Sequence, residues 1–298
     1  MLEINQVTKD FDQVRAVNDL SFTVETGDIY GLLGPNGAGK TTMIRMIMQI
    51  IQPDQGRITL GGEPITVKTK DQIGYLPEER GLYQKMKVRE VIGYFAALKN
   101  LDADVARKNA DKYLQRFDLL ERAEDKIEEL SKGNQQKIQF VIAIIHEPRV
   151  LILDEPFSGL DPVNQVLVKE IIAELQQKET TILLSTHQME QVEKLCKRIC
   201  LINRGQAVLK GNLAEIKRNF GSRTVRIQSE ASLEEVAKDE AFIRTEKENG
   251  ALIGELRESI LPHEYLKTLV NKVPIRKFEV VEPSLEQIFV EQVRGGGK

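Results

Sequence analysis

The sequence predicts an α/β fold with a parallel sheet, followed by a small α+β module. A strand, a glycine-rich loop and a helix follow one another between residues 28 and 51. Two short apolar runs, 150–153 and 180–185, lie on either side of a predicted helix over 163–178. This βαβ pattern is typical of buried parallel strands. After residue 221, the predicted order βαββαβ is that of a ferredoxin-like module.

Hydrophobic spacing and turn residues predict the elements of the larger region, which we place at residues 1–221. Residues 86–145 are helical in character and are expected to form a subdomain. In this subdomain a polar linker over 100–104 precedes a second helix that extends through Leu119. The other predicted elements are strands at 2–7, 20–24 and 56–60, a helix through Ile51 after the glycine-rich loop, and a hairpin at 199–209.

Local signals predict the elements of the second domain, residues 222–298. Ser232 and Glu235 form a capping-box pattern, and Ser284 with Gln287 is expected to cap the last helix. The dipeptide Asn249–Gly250 favours a tight hairpin turn. The predicted strands are 224–229, 242–247, 251–257 and 275–281, and the middle helix begins near Pro262.

Composition and charge exclude several classes of protein. The 298 residues carry a formal net charge of -3, so no global positive field indicates nucleic-acid binding. No apolar run approaches the roughly 18 residues that span a bilayer, and the N-terminus reads as a strand rather than a signal peptide. We therefore expect a cytoplasmic chain in which Cys196 and Cys200 are buried thiols, not a disulfide or a zinc site.

The glycine-rich loop fits the phosphate-binding pattern G-x-x-x-x-G-K-[ST]. Its glycines let the backbone approach a phosphate chain, and converging N–H groups form an anion-binding nest. Lys40 can supply a cation to the β- and γ-phosphates, and the Thr41 hydroxyl can bind Mg²⁺. The N-terminus of the following helix also favours negative charge. The predicted phosphate-binding residues are Gly34, Pro35, Asn36, Gly37, Ala38, Gly39, Lys40, Thr41 and Thr42.

Two adjacent carboxylates follow the buried apolar run at 150–153. Asp154 can hold Mg²⁺, usually through water, and Glu155 can accept a proton from an attacking water molecule. With a phosphate-binding loop in the same chain, this pair predicts phosphoryl-transfer chemistry.

Together with these motifs, further segments resemble the ATP-binding cassette family, specifically the ATPase subunits of bacterial ABC transporters. Leu130–Lys137 is similar to the family signature sequence, Ser158–Asp161 to the loop that communicates between subunits, and Leu183–His187 to the switch-histidine segment. The resemblance covers about residues 1–215. It implies further nucleotide-site residues: Phe11 and Val17 at the adenine, His187 at the γ-phosphate, Asp161 in the communicating loop, and Ser131, Gly133 and Asn134 at ATP bound by an opposite subunit.

Several positions depart from the family pattern. Glu78 stands where the family usually has glutamine. Both side chains have an oxygen that can bind Mg²⁺, but a carboxylate adds charge and cannot donate a hydrogen bond. In the signature, Lys132 replaces the usual glycine and Asn134 the usual glutamine. Lys132 either adds a cation near phosphates of the opposite subunit or points to solvent, and the sequence leaves both open.

The resemblance implies an ATP hydrolase with ATP and Mg²⁺ as cofactors that energises a separate membrane permease. Two chains, identical or paralogous, would close around ATP, and the permease would hold them at the cytoplasmic face of the membrane. The alternative is a soluble relative that acts on ribosomes or DNA. One phosphate-binding loop, and only a short helical stretch between Lys40 and Ser131, favour transport without a nucleic-acid partner.

Three segments resemble exporter-type subunits, which include sodium-extrusion and drug-export branches. These segments are Gly31–Gly34, Tyr75–Tyr83 and Pro283–Phe289. We therefore expect export of ions, drugs or other small molecules. The alternative is an importer subunit, whose C-terminal additions are usually regulatory barrels that this chain does not resemble.

Overall fold

The chain forms two compact units, Met1–Asn212 and Leu213–Lys298, in a computed structural model. The structure describes residues 1–79, 81–220, 223–257 and 259–295. The predicted domain boundary between residues 221 and 222 lies outside these ranges and stays a prediction. Arg80, within the exporter-like segment at 75–83, also lies outside them.

The first unit alternates strands and helices. Its strands are β1 (Leu2–Phe11), β2 (Val14–Val24), β3 (Ile29–Leu33), β4 (Gln55–Leu60), β5 (Glu63–Pro64), β6 (Ile73–Leu76), β7 (Val150–Asp154), β8 (Thr181–Thr186), β9 (Arg198–Asn203) and β10 (Gln206–Asn212). Its α-helices are α1 (Lys40–Ile47), α2 (Val67–Lys70), α3 (Val88–Leu98), α4 (Ala103–Arg116), α5 (Lys132–Ile144), α6 (Pro162–Gln177) and α7 (Met189–Leu195). Short 3-10 turns lie at Leu120–Arg122 and Ile127–Glu129.

The larger sheet has the strand order β10–β9–β3–β8–β7–β6, and neighbours from β9 to β6 are parallel. Every residue of β3, β7 and β8 is buried, as expected for parallel strands with both faces covered. The predicted parallel sheet is therefore confirmed. β7 and β8 each end one residue later than predicted, on Asp154 and Thr186.

A smaller antiparallel sheet has the order β2–β1–β4–β5. Leu2 and Ile4 of β1 belong to the same hydrophobic cluster as Met43 of α1. The prediction that this helix extends through Ile51 is wrong. Gln49 adopts a left-handed φ of 52°, so α1 ends at Ile47 and Ile50 is 61% exposed.

Helices α3, α4 and α5 lie within the predicted helical region at 86–145. α4 begins inside the predicted linker, because the Asp102 side chain accepts the N–H groups of Asp104 and Val105. It ends at Arg116 rather than Leu119, since Asp118 has a left-handed φ of 55°. None of the helices described in the structure combines the length and apolarity needed to cross a membrane.

The second unit contains the predicted βαββαβ order, preceded by an additional helix. Its strands form an antiparallel sheet in the order β12–β13–β11–β14, so the first and last strands are neighbours. Asn249 and Gly250 have positive φ, as the predicted hairpin requires, and Ser284 and Gln287 form the predicted capping box. The elements are α8 (Leu213–Asn219), β11 (Thr224–Gln228), α9 (Glu234–Ala237), β12 (Phe242–Glu248), β13 (Ala251–Leu256), α10 (Pro262–Leu269), β14 (Lys277–Val281) and α11 (Leu285–Gly295).

One predicted cap of the second unit is wrong. Leu233, not Ser232, occupies the N-cap position of α9, and it makes no side-chain capping bond. The Ser232 hydroxyl instead accepts the N–H of Glu234 at 3.4 Å, which is a local turn before the helix.

Candidate functional site

Four neighbouring parallel strands bring the predicted site residues to one edge of the sheet. β3 leads into the glycine-rich loop, β6 precedes Glu78, β7 ends at Asp154 and β8 ends just before His187. The carboxyl ends of parallel strands meet at the same edge, which is where open α/β sheets bind ligands. Residues 36–42, Glu78, Asp154 and Glu155 line one cavity of about 560 Å³ there.

Two glycines of the loop are required by close backbone contacts. Gly34 has a φ of 151°, and a Cβ there would collide with the carbonyl oxygen of Ile202. Gly39 has a φ of 107°, and a Cβ there would collide with the carbonyl oxygen of Ala16. The loop therefore packs directly against the backbone of Ile202 and Ala16 at these two positions.

Lys40 is the first residue of α1 and is buried. Its Nζ donates to the carbonyl oxygens of Gly34 at 2.8 Å and Pro35 at 3.2 Å. Burial lowers the pKa of Lys40, while the carboxylates of Glu155 and Asp154 act in the opposite direction. Lys40 also lines the cavity, where its ammonium group could bind a phosphate.

Asp154 is buried and held between two hydroxyl groups. Thr41 Oγ1 donates to Asp154 Oδ2 at 3.1 Å, and Ser185 Oγ donates to Asp154 Oδ1 at 2.7 Å. Burial raises the pKa of Asp154, and the two hydroxyl donors partly oppose this shift. Thr41, Asp154 and Glu78, whose side chains all carry oxygen, line the cavity. This all-oxygen set fits Mg²⁺, which is a hard cation.

Glu155 follows the strand with a left-handed φ of 51° and is also buried. Its Oε2 accepts a hydrogen bond from Thr186 Oγ1 at 2.8 Å. Its Oε1 accepts the backbone N–H of His187 at 2.9 Å and lies 2.8 Å from His187 Nδ1. An ionised carboxylate can only accept, so we assign the proton of the imidazole ring to Nδ1. The predicted base and the predicted switch histidine are therefore in direct contact.

The two predicted adenine contacts, Phe11 and Val17, differ in exposure. Phe11 is 44% exposed near the end of β1 and remains available to a base, with Lys9 Nζ 5.4 Å from its ring centroid. Val17 is fully buried in a hydrophobic cluster and does not line the cavity, so its predicted contact with adenine stays a prediction. Ala16, its neighbour on β2, lines the cavity instead. At this point of β2, therefore, Ala16 rather than Val17 lines the cavity.

The sequence reasoning missed several residues of the site. Arg15 and Arg204 line the cavity, the first paired with Asp10 and the second on the turn between β9 and β10. Arg204 could have been suspected from the Arg–Gly turn of the predicted hairpin. Ser185 and Thr186 bond directly to the two acidic residues, and their position just before His187 was the available signal.

The signature residues do not line this cavity. Ser131 caps α5, since its Oγ accepts the N–H of Asn134 at 3.2 Å. Gly133 faces the segment before α6, and a Cβ there would lie 3.0 Å from the carbonyl oxygen of Gly159. Asp161 caps α6, and the N–H of Asn164 lowers the pKa of Asp161. Their predicted contact with ATP bound by another chain stays a prediction.

Models of two protein families match the chain. The family described as ABC transporter matches residues 17–158. The family described as the C-terminal domain of DrrA1-3-like ATP-binding proteins matches residues 211–293. The second match begins within β10 and spans nearly all of the second unit.

Individual proteins show the same relationship. An uncharacterized ABC transporter ATP-binding protein, YhaQ of Bacillus subtilis, is 44% identical over 98% of both chains. The Nod factor export ATP-binding protein I of Burkholderia pseudomallei is 39% identical over 70% of both chains. A solved structure described as the ATP binding subunit of an ABC transporter is 32% identical, with a TM-score of 0.71, over 79% of this chain and 97% of the other.

Proposed function

This chain belongs to the ABC transporter family as an ATP-binding, ATP-hydrolysing subunit, and we propose that Glu155 is the base of its reaction. The observation that carries this proposal is the set of hydrogen bonds that hold the Glu155 carboxylate in place. Three donors hold Glu155 at the edge of the cavity that contains Lys40 and Asp154. A base must be fixed within hydrogen-bond reach of the water from which it takes a proton.

The other residues supply position and charge, which dominate phosphoryl transfer. The N–H groups of residues 36–41 and the Lys40 ammonium bind the phosphate chain of ATP. Thr41, Asp154 and Glu78 would hold Mg²⁺, whose charge stabilises the leaving phosphate when the ion is bound. Glu155 orients the attacking water and accepts its proton, and His187 holds the carboxylate and contacts the γ-phosphate. Phe11 stacks on adenine.

The substitution Glu155→Gln tests the base. It keeps the shape of the side chain but removes its ability to take up a proton, so we expect normal ATP affinity and a loss of turnover of at least about 100-fold. The ATP-bound dimer should accumulate in size-exclusion chromatography. Glu121→Gln, at an exposed position outside the cavity, is the matched control and should turn over ATP normally. Normal turnover by Glu155→Gln would remove Glu155 as the base.

A second chain completes the site in this proposal. The Ser131 oxygen accepts the N–H of Asn134, so its hydroxyl hydrogen remains available to donate to a phosphate oxygen. The first-turn N–H groups of α5 have no partner within the helix and favour an anion. Ser131, Gly133 and Asn134 would therefore bind the γ-phosphate held by the opposite chain. That chain is identical or paralogous.

We propose that the dimer drives a separate permease in the export direction and is held by it at the cytoplasmic face of the membrane. The Nod factor export relative supports this direction, as do the exporter-like segments of the sequence. The described helices provide no membrane span. In this proposal the permease supplies the path. Co-expression with the membrane proteins encoded beside this chain tests the proposal. Co-purification and ATP-dependent efflux from vesicles support it, whereas ATP-dependent uptake contradicts the direction.

A further inference from the structure

Thr186 is the last residue of β8 and is 1% exposed. It follows Ser185, which is paired with Asp154 across the parallel strands. The two acidic residues at the end of β7 therefore each have a hydroxyl side chain beside them on β8. Ser185 donates to Asp154, and Thr186 donates to Glu155.

The direction of the Thr186 hydrogen bonds is fixed by its partners. The N–H of Gln188 can only donate, and it lies 3.1 Å from Thr186 Oγ1, which must accept. The single hydroxyl hydrogen is then directed to Glu155 Oε2 at 2.8 Å. Thr186 thus links the carboxylate to the backbone at the start of α7, because Gln188 is the N-cap residue of that helix.

The hydrogen bonds of Glu155 indicate a role for Thr186 beyond packing. Oε1 is occupied by the N–H and the imidazole of His187. Oε2 accepts one bond from Thr186, and a carboxylate oxygen has room for two. The remaining acceptor position on Oε2 is the one left for the attacking water. Thr186 fixes the rotation of the carboxylate and therefore the direction in which that position points.

We propose that Thr186 is a positioning residue that aims Glu155 at the attacking water. This inference rests on the proposed role of Glu155 as the base. A carboxylate that has lost one of its holding donors samples other orientations, and misplacement of a catalytic group slows chemistry more than it weakens binding. The hydroxyl of Thr186, rather than its methyl group, carries the effect.

The test compares Thr186→Val with Thr186→Ser in the full chain. Valine keeps the volume and removes the hydroxyl, whereas serine keeps the hydroxyl. We expect Thr186→Val to lower kcat by about 10- to 100-fold. This change in rate corresponds to the typical free energy of a hydrogen bond to a charged group. ATP affinity, measured by titration with a fluorescent ATP analogue, should stay within about 3-fold, because Thr186 is not placed at the phosphates. Thr186→Ser should recover most of the lost rate.

Thr181→Val is the matched control on the same strand. Thr181 is also buried, and its hydroxyl accepts the N–H of Gly27 at 3.2 Å, away from the cavity. This variant should lose stability in a thermal melt but keep its kcat. If Thr186→Val does not fold, Thr186→Ala is measured in its place, because the smaller side chain leaves room for water at the Gln188 N–H.

Two results would overturn the inference while leaving the base assignment intact. The first is a normal kcat for Thr186→Val, or for its alanine replacement, beside an inactive Glu155→Gln. The second is an equal loss of kcat in the valine and serine variants, which would show that packing of the methyl group matters rather than the hydroxyl. Normal turnover by Glu155→Gln would instead refute the base, and this inference with it.

Discussion

Gly34 and Gly37 belong to the same loop, yet the structure predicts different costs for replacing them with alanine. At Gly34 the new Cβ would collide with the backbone oxygen of Ile202, and φ is 151°. That backbone region costs an L-residue about 1–3 kcal/mol, and an overpacked contact that cannot move adds about 1–3 kcal/mol. At Gly37, φ is 78° but nothing lies within 4 Å of the new Cβ. Only the backbone cost of about 1 kcal/mol remains there.

We expect the collision at Gly34 to be relieved by movement of the loop, because β9 is held inside the sheet. Gly34→Ala should therefore weaken ATP binding by at least about 30-fold, equivalent to about 2 kcal/mol. Gly37→Ala should bind ATP within about 5-fold of the parent chain. Titration with ATP gives both affinities, and urea unfolding separates a distorted loop from a destabilised chain. Equal ATP affinities for the two variants would show that the close contact between Gly34 and the Ile202 backbone does not constrain the loop.

Three further variants test the proposed nucleotide site. Lys40→Ala should weaken ATP binding by about 10- to 100-fold, and Ser131→Arg should block hydrolysis but not ATP binding by its own chain. Mixing the two variants should restore some ATPase activity. In a mixed dimer, one site combines the intact phosphate loop of one chain with the intact Ser131 of the other. Mixtures that stay inactive would contradict the shared site. Ser185→Ala should raise the Mg²⁺ concentration needed for nucleotide binding by about 10-fold, because Asp154 loses an orienting donor. An unchanged Mg²⁺ titration would show that Thr41 alone orients Asp154.

The parallel sheet and the position of the carboxylate pair at its edge were predictable because their signals are local. Continuous apolar runs identify buried strands, and a carboxylate pair directly after such a run must lie at the strand end. Gly34 and Gly39 of the loop likewise stand where neighbouring backbone comes too close for a side chain. The pattern of glycines therefore indicates the conformation of the loop. Asp154 and Glu155 could therefore be assigned to the cavity before the strand order was known.

Other features of the fold depend on backbone angles that cannot be predicted from the residue types. Gln49 and Asp118 both adopt left-handed φ and end helices that apolar spacing predicts to continue. Side chains on a strand alternate between faces, so a one-residue error in register exchanges a buried residue for a ligand contact. β1 and β2 pair with register shifts near Val7 and Lys9. Alternation alone could not show that Ala16, and not Val17, faces the cavity.

The different roles proposed for Asp154 and Glu155 depend on one such backbone angle. Asp154 is still in β7, where it is paired with Ser185 and faces Thr41 of the phosphate loop. Glu155 leaves the strand with a φ of 51°, which its N–H bond to the Ser185 carbonyl helps to hold. A continued strand would turn Glu155 to the opposite face, away from Asp154. The left-handed residue instead keeps both carboxylates at the cavity and directs them to different partners. This geometry is what allows one acid to be proposed as a cation ligand and its neighbour as a proton acceptor.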